Sequence, residues 1–256
     1  MTTPSTYPDL AGKVVVITGG SRGIGARTAR AFAAQGAKVC VVGRDKDALA
    51  RVVTGIAKDG GTAIDVAADV TDSAALDAVR GEVESRLGRI DVLAAFAGGQ
   101  GFPVPAEELT EERWREVLES DLTSAFLTIR TFLPGMLDRG RGSILTMSSA
   151  AGRQPSQANL AYGVANAGLV MLTRQLATDL GPRGIRVNCI APSAIATEKV
   201  EARMPAEVRE KVAAMHPLRR IGTTDDVAQT ALFLASEAAS WLTGLTIDVA
   251  GGRITG

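Results

Sequence analysis

Thr18-Gly19-Gly20-Ser21-Arg22-Gly23-Ile24-Gly25 joins a β-branched run at residues 14–17 to a stretch of helical spacing at residues 22–35. Glycines at a strand-to-helix turn allow a tight bend, close approach of the backbone to a ligand, and close packing of helix on strand. The N-terminus of the helix then offers unpaired N–H groups and the positive end of its dipole. With a strand before and a helix after, such a turn reads as a cradle for the pyrophosphate of a dinucleotide. A purely structural glycine-rich turn is the competing reading, and the rest of the chain weighs against it.

The same alternation continues outward. Apolar runs at residues 39–42, 62–67, 92–96, 143–147, 185–190 and 245–249 predict six more strands. Helical spacing fills residues 46–58, 73–87, 111–137, 158–180 and 225–235. Uninterrupted apolar runs belong to strands buried on both faces, as in a parallel sheet. Strands that alternate with helices predict an α/β fold with a doubly wound sheet. Gly36, Gly88 and Gly181 fall just past predicted helices, where a left-handed cap residue is favoured. Thr71 and Asp72 are candidate N-caps. Residues 192–222 are the least regular and hold Pro192, Pro205, Pro217 and the single histidine, His216. Such a stretch in a compact α/β domain reads as a substrate lid, with His216 structural. No linker, charge block or repeat divides the chain, so residues 1–256 read as one domain.

Composition narrows the function classes. The chain has 256 residues, 46% hydrophobic and 22% charged, with 28 Lys+Arg against 28 Asp+Glu. That balance removes the electrostatic case for a nucleic-acid or membrane-surface partner. Cys40 and Cys189 are too few for a disulfide framework or a zinc site, so no metal is expected. Both lie in apolar runs and read as small buried hydrophobes. The N-terminal segment lacks the basic flank and apolar core of a signal peptide, and no run reaches the roughly 18 apolar residues of a membrane span. A cytoplasmic location is the expectation.

Further clusters accompany the glycine turn: Asp69-Val70 after the third strand, Ala97-Gly98 after the fourth, and Ser149 and Tyr162, 13 residues apart. Ile185-Arg186-Val187-Asn188, Ala191-Pro192 and Thr197 follow, then Pro217-Leu218, Ile221-Gly222 and Gly251-Gly252. Together with the Thr-Gly-x-x-x-Gly-x-Gly spacing, these resemble the short-chain dehydrogenases/reductases over residues 13–252. The resemblance implies a Rossmann-like, doubly wound parallel sheet of about seven strands with helices on both faces. It implies hydride transfer between a nicotinamide dinucleotide and a small carbonyl or alcohol substrate. It places cofactor contacts at Gly19, Ser21, Arg22, Gly23, Ile24 and Gly25, at Arg44, Asp69, Val70, Ala97 and Gly98, and at Tyr162, Asn166, Pro192, Ile195 and Thr197.

The end of the second strand bears on which dinucleotide. An acid there would hold the 2′-hydroxyl of the adenine ribose, whereas arginine would accept a 2′-phosphate. The usual acid position is Gly43, followed by Arg44, with Arg22 in the nearby turn. Two guanidinium groups suit a phosphate dianion, which favours NADP. NAD is the alternative if Asp45 serves as the ribose acid, although Asp45 reads more simply as a helix N-cap.

By the resemblance, Tyr162 is the acid/base and Ser149 its hydrogen-bonding partner, with Ser148 the neighbour to distinguish. Two positions depart from the family pattern. Its lysine, four residues after the tyrosine, is Asn166; its relay asparagine is Asp121. Phe96 also replaces a polar residue, and Ser193 a glycine. Tyr162 and Asn166 share a helical face at i,i+4, so Asn166 still points into the site, but an amide carries no charge. An ionised Asp121 would disfavour the tyrosinate further. Three readings follow. The first, and favoured, is a slow or specialised reductase. The second is a nucleotide-binding relative with little turnover, a sensor or partner subunit. The third, a non-redox enzyme of the same fold, is opposed by the intact glycine turn. Apolar stripes at Leu118, Leu122, Phe126 and Ile129, and at Leu169, Leu172, Leu176 and Leu180, pack on the sheet in part. The resemblance adds a subunit interface there, hence a homotetramer or homodimer.

Overall fold

The computed structural model describes residues 5–255; residues 1–4 and 256, the ends of the expected domain, lie outside the described residues. In chain order the first half contains β1 (Val14–Thr18), α1 (Gly23–Ala34), β2 (Lys38–Gly43), α2 (Lys46–Lys58), β3 (Thr62–Ala67), α3 (Ser73–Arg86) and β4 (Val92–Ala95). Next come α4 (Glu111–Leu118), α5 (Ser124–Leu137), β5 (Gly142–Met147), α6 (Leu160–Leu180) and β6 (Ile185–Pro192). The chain then forms β7 (Ile195–Ala196), α7 (Glu198–Arg203), α8 (Ala206–Ala214), β8 (Gly222–Thr223), α9 (Thr224–Ala235) and β9 (Thr246–Val249).

Seven parallel strands form one sheet in the order β3-β2-β1-β4-β5-β6-β9, and β7 pairs with β8 separately. Successive side chains of a strand face opposite ways, so β1 feeds two cores. Val15 and Ile17 join Phe32, Leu49 and Leu232 on one side, while Val14 and Val16 join Leu76, Phe132 and Leu169 on the other. Both faces are therefore covered, as the unbroken apolar runs require. The strand order reverses between β1 and β4, and a ligand crevice opens outside the carboxyl ends of such a pair. The Thr18 hydroxyl closes the base of that crevice by accepting from the N–H groups of Phe96 and Ala97, at 3.1 and 3.2 Å.

Several local expectations are corrected. The predicted helix over residues 111–137 is interrupted by a π-helical segment, Glu119–Thr123. The extra residue in a π turn rotates the faces that follow it. Within α5, Ile129 of the predicted stripe is buried and Phe126 is exposed. Gly36 and Gly88 adopt left-handed φ of +80° and +102°, whereas Gly181 is helical and Gly184 takes that role at +78°. Residues 192–222 are more regular than expected, because α7 and α8 occupy about half of them. Pro205 there is the cap residue before α8, a position that needs no N–H donor. Asp72, rather than Thr71, caps α3, its carboxylate accepting from Ala74 and Ala75. No helix among the described residues is long and apolar enough to cross a membrane.

Candidate active site

The glycine turn leaves no room for side chains. A Cβ on Gly25 would stand 2.2 Å from the Gly19 carbonyl oxygen, and one on Gly20 2.8 Å from Val41. Gly19 and Gly23 adopt φ of +68° and +54°, a region that favours glycine. Among the described residues no side chain caps α1, and no acid stands in its first turn. Its leading amides and positive dipole end are thus available to an anion. Thr197 caps α7 by accepting from Val200, and its methyl group overhangs the turn, 3.4 Å from where a Gly23 Cβ would be. Pro192 and Ile195 are buried at the end of β6 and in β7. Val70 is buried, and Asp69 accepts from the Thr71 amide and hydroxyl, bonds that hold its carboxyl below the usual range.

The charges near Gly43 are already engaged. The Asp45 carboxylate caps α2 by accepting from Ala48 and also pairs with Arg22 at 2.9 Å. Arg44 is exposed, 3.9 Å from Asp69. The helix-cap role of Asp45 was legible; its hold on Arg22 was not, because it joins residues 23 apart in sequence.

Ser149, Tyr162, Asn166 and Asp121 lie around one cleft. Ser149 caps a short 3-10 turn by accepting from the Ala151 amide and lies near the Tyr162 phenol. Ser148 is buried and donates to the Asn166 carbonyl, so its hydroxyl is committed to the fold. Asn166 is buried, and its amide donates to the Tyr162 carbonyl at 2.9 Å. Burial pushes the Tyr162 phenol up; Ser149 opposes this, Asp121 adds to it, and Asn166 opposes it again. Asp121 is buried in the π turn, with one oxygen accepting from Gly99 and Gln100 at 2.9 and 3.2 Å and the other from Ser120. Its carboxylate is therefore directed at the loop after β4. This is a positioning arrangement rather than a free proton carrier.

Three features were missed in the sequence. Asn159, buried three residues before Tyr162, caps α6 and donates to the carbonyls of Gln100 and Phe102. Asparagine ahead of a helical pattern was the available signal for the cap. Gly101 lies against the Tyr162 ring, where a Cβ would stand 3.1 Å from two ring carbons. Arg153 pairs in fork geometry with Asp248 of β9 at 3.0 and 3.1 Å, both side chains largely buried. His216 is structural as expected, its ring nitrogens bonded to the Val212 carbonyl and the Ser193 hydroxyl.

A parallel sheet with an open glycine cradle at its switch point places this molecule among dinucleotide-binding α/β proteins. A family model described as Enoyl-(Acyl carrier protein) reductase matches residues 19–253. The chain belongs to the short-chain dehydrogenase/reductase family and is an oxidoreductase of that type. It is 37% identical to a 7alpha-hydroxysteroid dehydrogenase of Escherichia coli over 96% of this chain and 95% of that one. It is 38% identical to a cis-4-hydroxycyclohexanecarboxylate dehydrogenase of Sinomonas cyclohexanicum over 94% and 96%. A solved structure described as a putative NAD(P) dependent gluconate 5-dehydrogenase of Beutenbergia cavernae, with bound NADP, superposes with a TM-score of 0.90 at 37% identity, over 96% of this chain and 98% of that one. Other solved relatives hold NAD or NADH.

Proposed function

We propose that this protein transfers hydride between NADP(H) and a small carbonyl or alcohol substrate, with Tyr162 as acid/base and Ser149 as its oxyanion partner. The observation that carries this reading is the grouping of Ser149, Asn166 and Asp121 about the Tyr162 phenol, together with a glycine turn that has no space for added side chains at Gly19, Gly20 and Gly25. The cradle fits a dinucleotide: Gly19, Ser21, Arg22, Gly23, Ile24 and Gly25 would hold the pyrophosphate. Asp69, Val70, Ala97 and Gly98 would line the adenosine side, and Pro192, Ile195 and Thr197 the nicotinamide side. When bound, the nicotinamide supplies or accepts the hydride. Arg44 and the side-chain-free Gly43 support NADP over NAD, although Asp45 shares Arg22.

In the reductive direction Tyr162 donates its phenolic proton to the substrate oxygen while Ser149 hydrogen-bonds that oxygen. A phenol kept protonated by burial suits this acid role. Asn166 offers an amide to the ribose and no charge to the phenol. Names of relatives that act on ring alcohols support cyclic ketones as the first substrates to test. Exposed Phe126, Leu160, Val164 and Met171 on α5 and α6 support assembly as a homotetramer or homodimer, which light scattering would measure.

The test is consumption of NADPH with a panel of cyclic ketones and quinones, followed by absorbance, with Tyr162→Phe as control. Turnover lost in the control is the expected result. The missing ammonium at Asn166 favours one other reading, a dinucleotide-binding partner or sensor. Tight NADPH binding without consumption by any substrate would select it.

A further inference from the structure

Residues 98–102, Gly98-Gly99-Gln100-Gly101-Phe102, connect β4 to the rim of the cleft. Gly98 and Gly99 adopt φ of +139° and +104°. A segment this rich in glycine has much conformational freedom to lose, so it needs anchors to hold one shape. It has them on two sides. Asp121 accepts from the amides of Gly99 and Gln100. Opposite, Asn159 is 1% exposed, and its Nδ2 donates to the carbonyls of Gln100 and Phe102 at 2.8 and 2.9 Å. The Asn159 Oδ1 accepts from the Tyr162 amide at 2.9 Å. Between these anchors Gly101 rests on the Tyr162 ring, and Arg113 donates to the Gln100 side chain at 3.0 Å.

We propose that Asn159 is a positioning residue that ties the loop of residues 98–102 to the start of α6, fixing it as a rigid wall of the substrate pocket over Tyr162. The inference rests on Tyr162 being the acid/base proposed above. A helix cap alone needs only an acceptor, which serine supplies equally well. The two donors aimed at carbonyls need a carboxamide. The side chain thus does more than capping requires, and the surplus is spent on the loop. Phe102, about half exposed at the end of this wall, presents an aromatic face to an apolar ring substrate.

Asn159→Ser separates the two roles, because it keeps the cap and removes both donors. With melting close to wild type, hydrogen exchange of residues 98–102 should accelerate about ten-fold or more. The KM for a cyclic ketone should rise about ten-fold with kcat held within about three-fold, the pattern of lost uniform binding. Unchanged exchange would overturn the proposal, as would a fall in kcat at constant KM. Exchange needs no turnover, so an inactive wild-type protein would defeat the oxidoreductase reading and still leave the clamp decided. If the serine variant does not fold, Gly101→Ala tests the same wall with Asn159 intact. Its methyl group presses on the Tyr162 ring, so KM should rise and exchange over residues 98–102 should quicken; no change in either would overturn the proposal.

Discussion

Asn166→Lys puts back the charge that the family carries beside its tyrosine. Asn166 lies one helical turn after Tyr162, on the same face of α6. A unit charge about 4–5 Å from the phenol oxygen, at an effective dielectric near 20, is worth about 3–4 kcal/mol, or roughly two to three pKa units. Burial and the Asp121 charge now push that phenol up, with Ser149 and Asn166 opposing only in part. The variant should bring it down toward or below its ordinary value of about 10. Tyr7 is the sole other tyrosine. Near-ultraviolet titration, with a Tyr162→Phe spectrum subtracted, therefore reads this one phenol without cofactor or turnover. At neutral pH a fall of two to three units multiplies the tyrosinate fraction by about 100–1,000. The weaker base returns part of that gain, so alcohol oxidation should rise about ten- to thirty-fold. Carbonyl reduction, which uses the protonated phenol, should change by less than about three-fold. A midpoint that stays put in a folded variant would refute the charge reasoning. A midpoint that falls with no gain in oxidation would refute Tyr162 as the base.

Four further outcomes are expected. Asp45→Ser keeps a cap for α2 while freeing Arg22, so NADPH should bind about three- to ten-fold more tightly by fluorescence titration; Gly43→Asp, whose Cβ would meet nothing closer than 3.7 Å, should shift preference toward NADH. Arg220 and Thr223 hold the Asp226 carboxyl well below the usual carboxylate range. A carboxyl with a depressed folded pKa stabilises above its unfolded pKa and loses that contribution as pH falls through the folded one. Asp226→Asn should therefore cost about 1–2 kcal/mol near neutrality in urea melts, and the gap to wild type should close in acid. Burial pushes the Cys40 thiol up to about 12, with Asp65 adding to it, and burial also raises Cys189. Neither thiol should alkylate in native protein at mildly basic pH, and both should do so in denaturant, as mass spectrometry would count.

The legible part of the fold was the part set by period and turn chemistry. The apolar runs located every strand of the main sheet to within about two residues; the inner strands were plain because burial on both faces needs unbroken hydrophobicity, whereas the edge strands β3 and β9 are only partly buried and carry Asp65 and Asp248. The glycine turn was legible because its residues are contiguous. The π turn at Glu119–Thr123 was not, since propensity carries no mark of one extra residue. Nor were α7 and α8, where the prolines outweighed a helical pattern in the reading of residues 192–222. The site divided similarly. Tyr162, Ser149, Asn166 and Asp121 stood out by spacing and resemblance. What Asp121 and Asn159 hold was hidden, because their partners in the loop lie 21 to 59 residues away in sequence. The Arg153 pair was hidden for the same reason: Asp248 is 95 residues distant.

On the proposed reading, the two departures that the resemblance implies, at Asn166 and Asp121, would act together on one proton. Replacing lysine by Asn166 removes a cation that would favour tyrosinate, and replacing asparagine by Asp121 adds an anion that opposes it. Asp121 does not substitute for the missing group, since its oxygens are engaged by Gly99, Gln100 and Ser120. The loop held by those bonds puts Gly101 against the Tyr162 ring and covers part of it. Exclusion of water raises a phenol's pKa in the same direction as the anion does. On the proposed reading, a site assembled this way would keep its proton at neutral pH and give it up to an oxygen that is gaining negative charge, as a carbonyl does when hydride arrives. On that reading the same arrangement would make Tyr162 a poor base for an alcohol, so the charge at residues 121 and 166 would set a preferred direction as well as a rate.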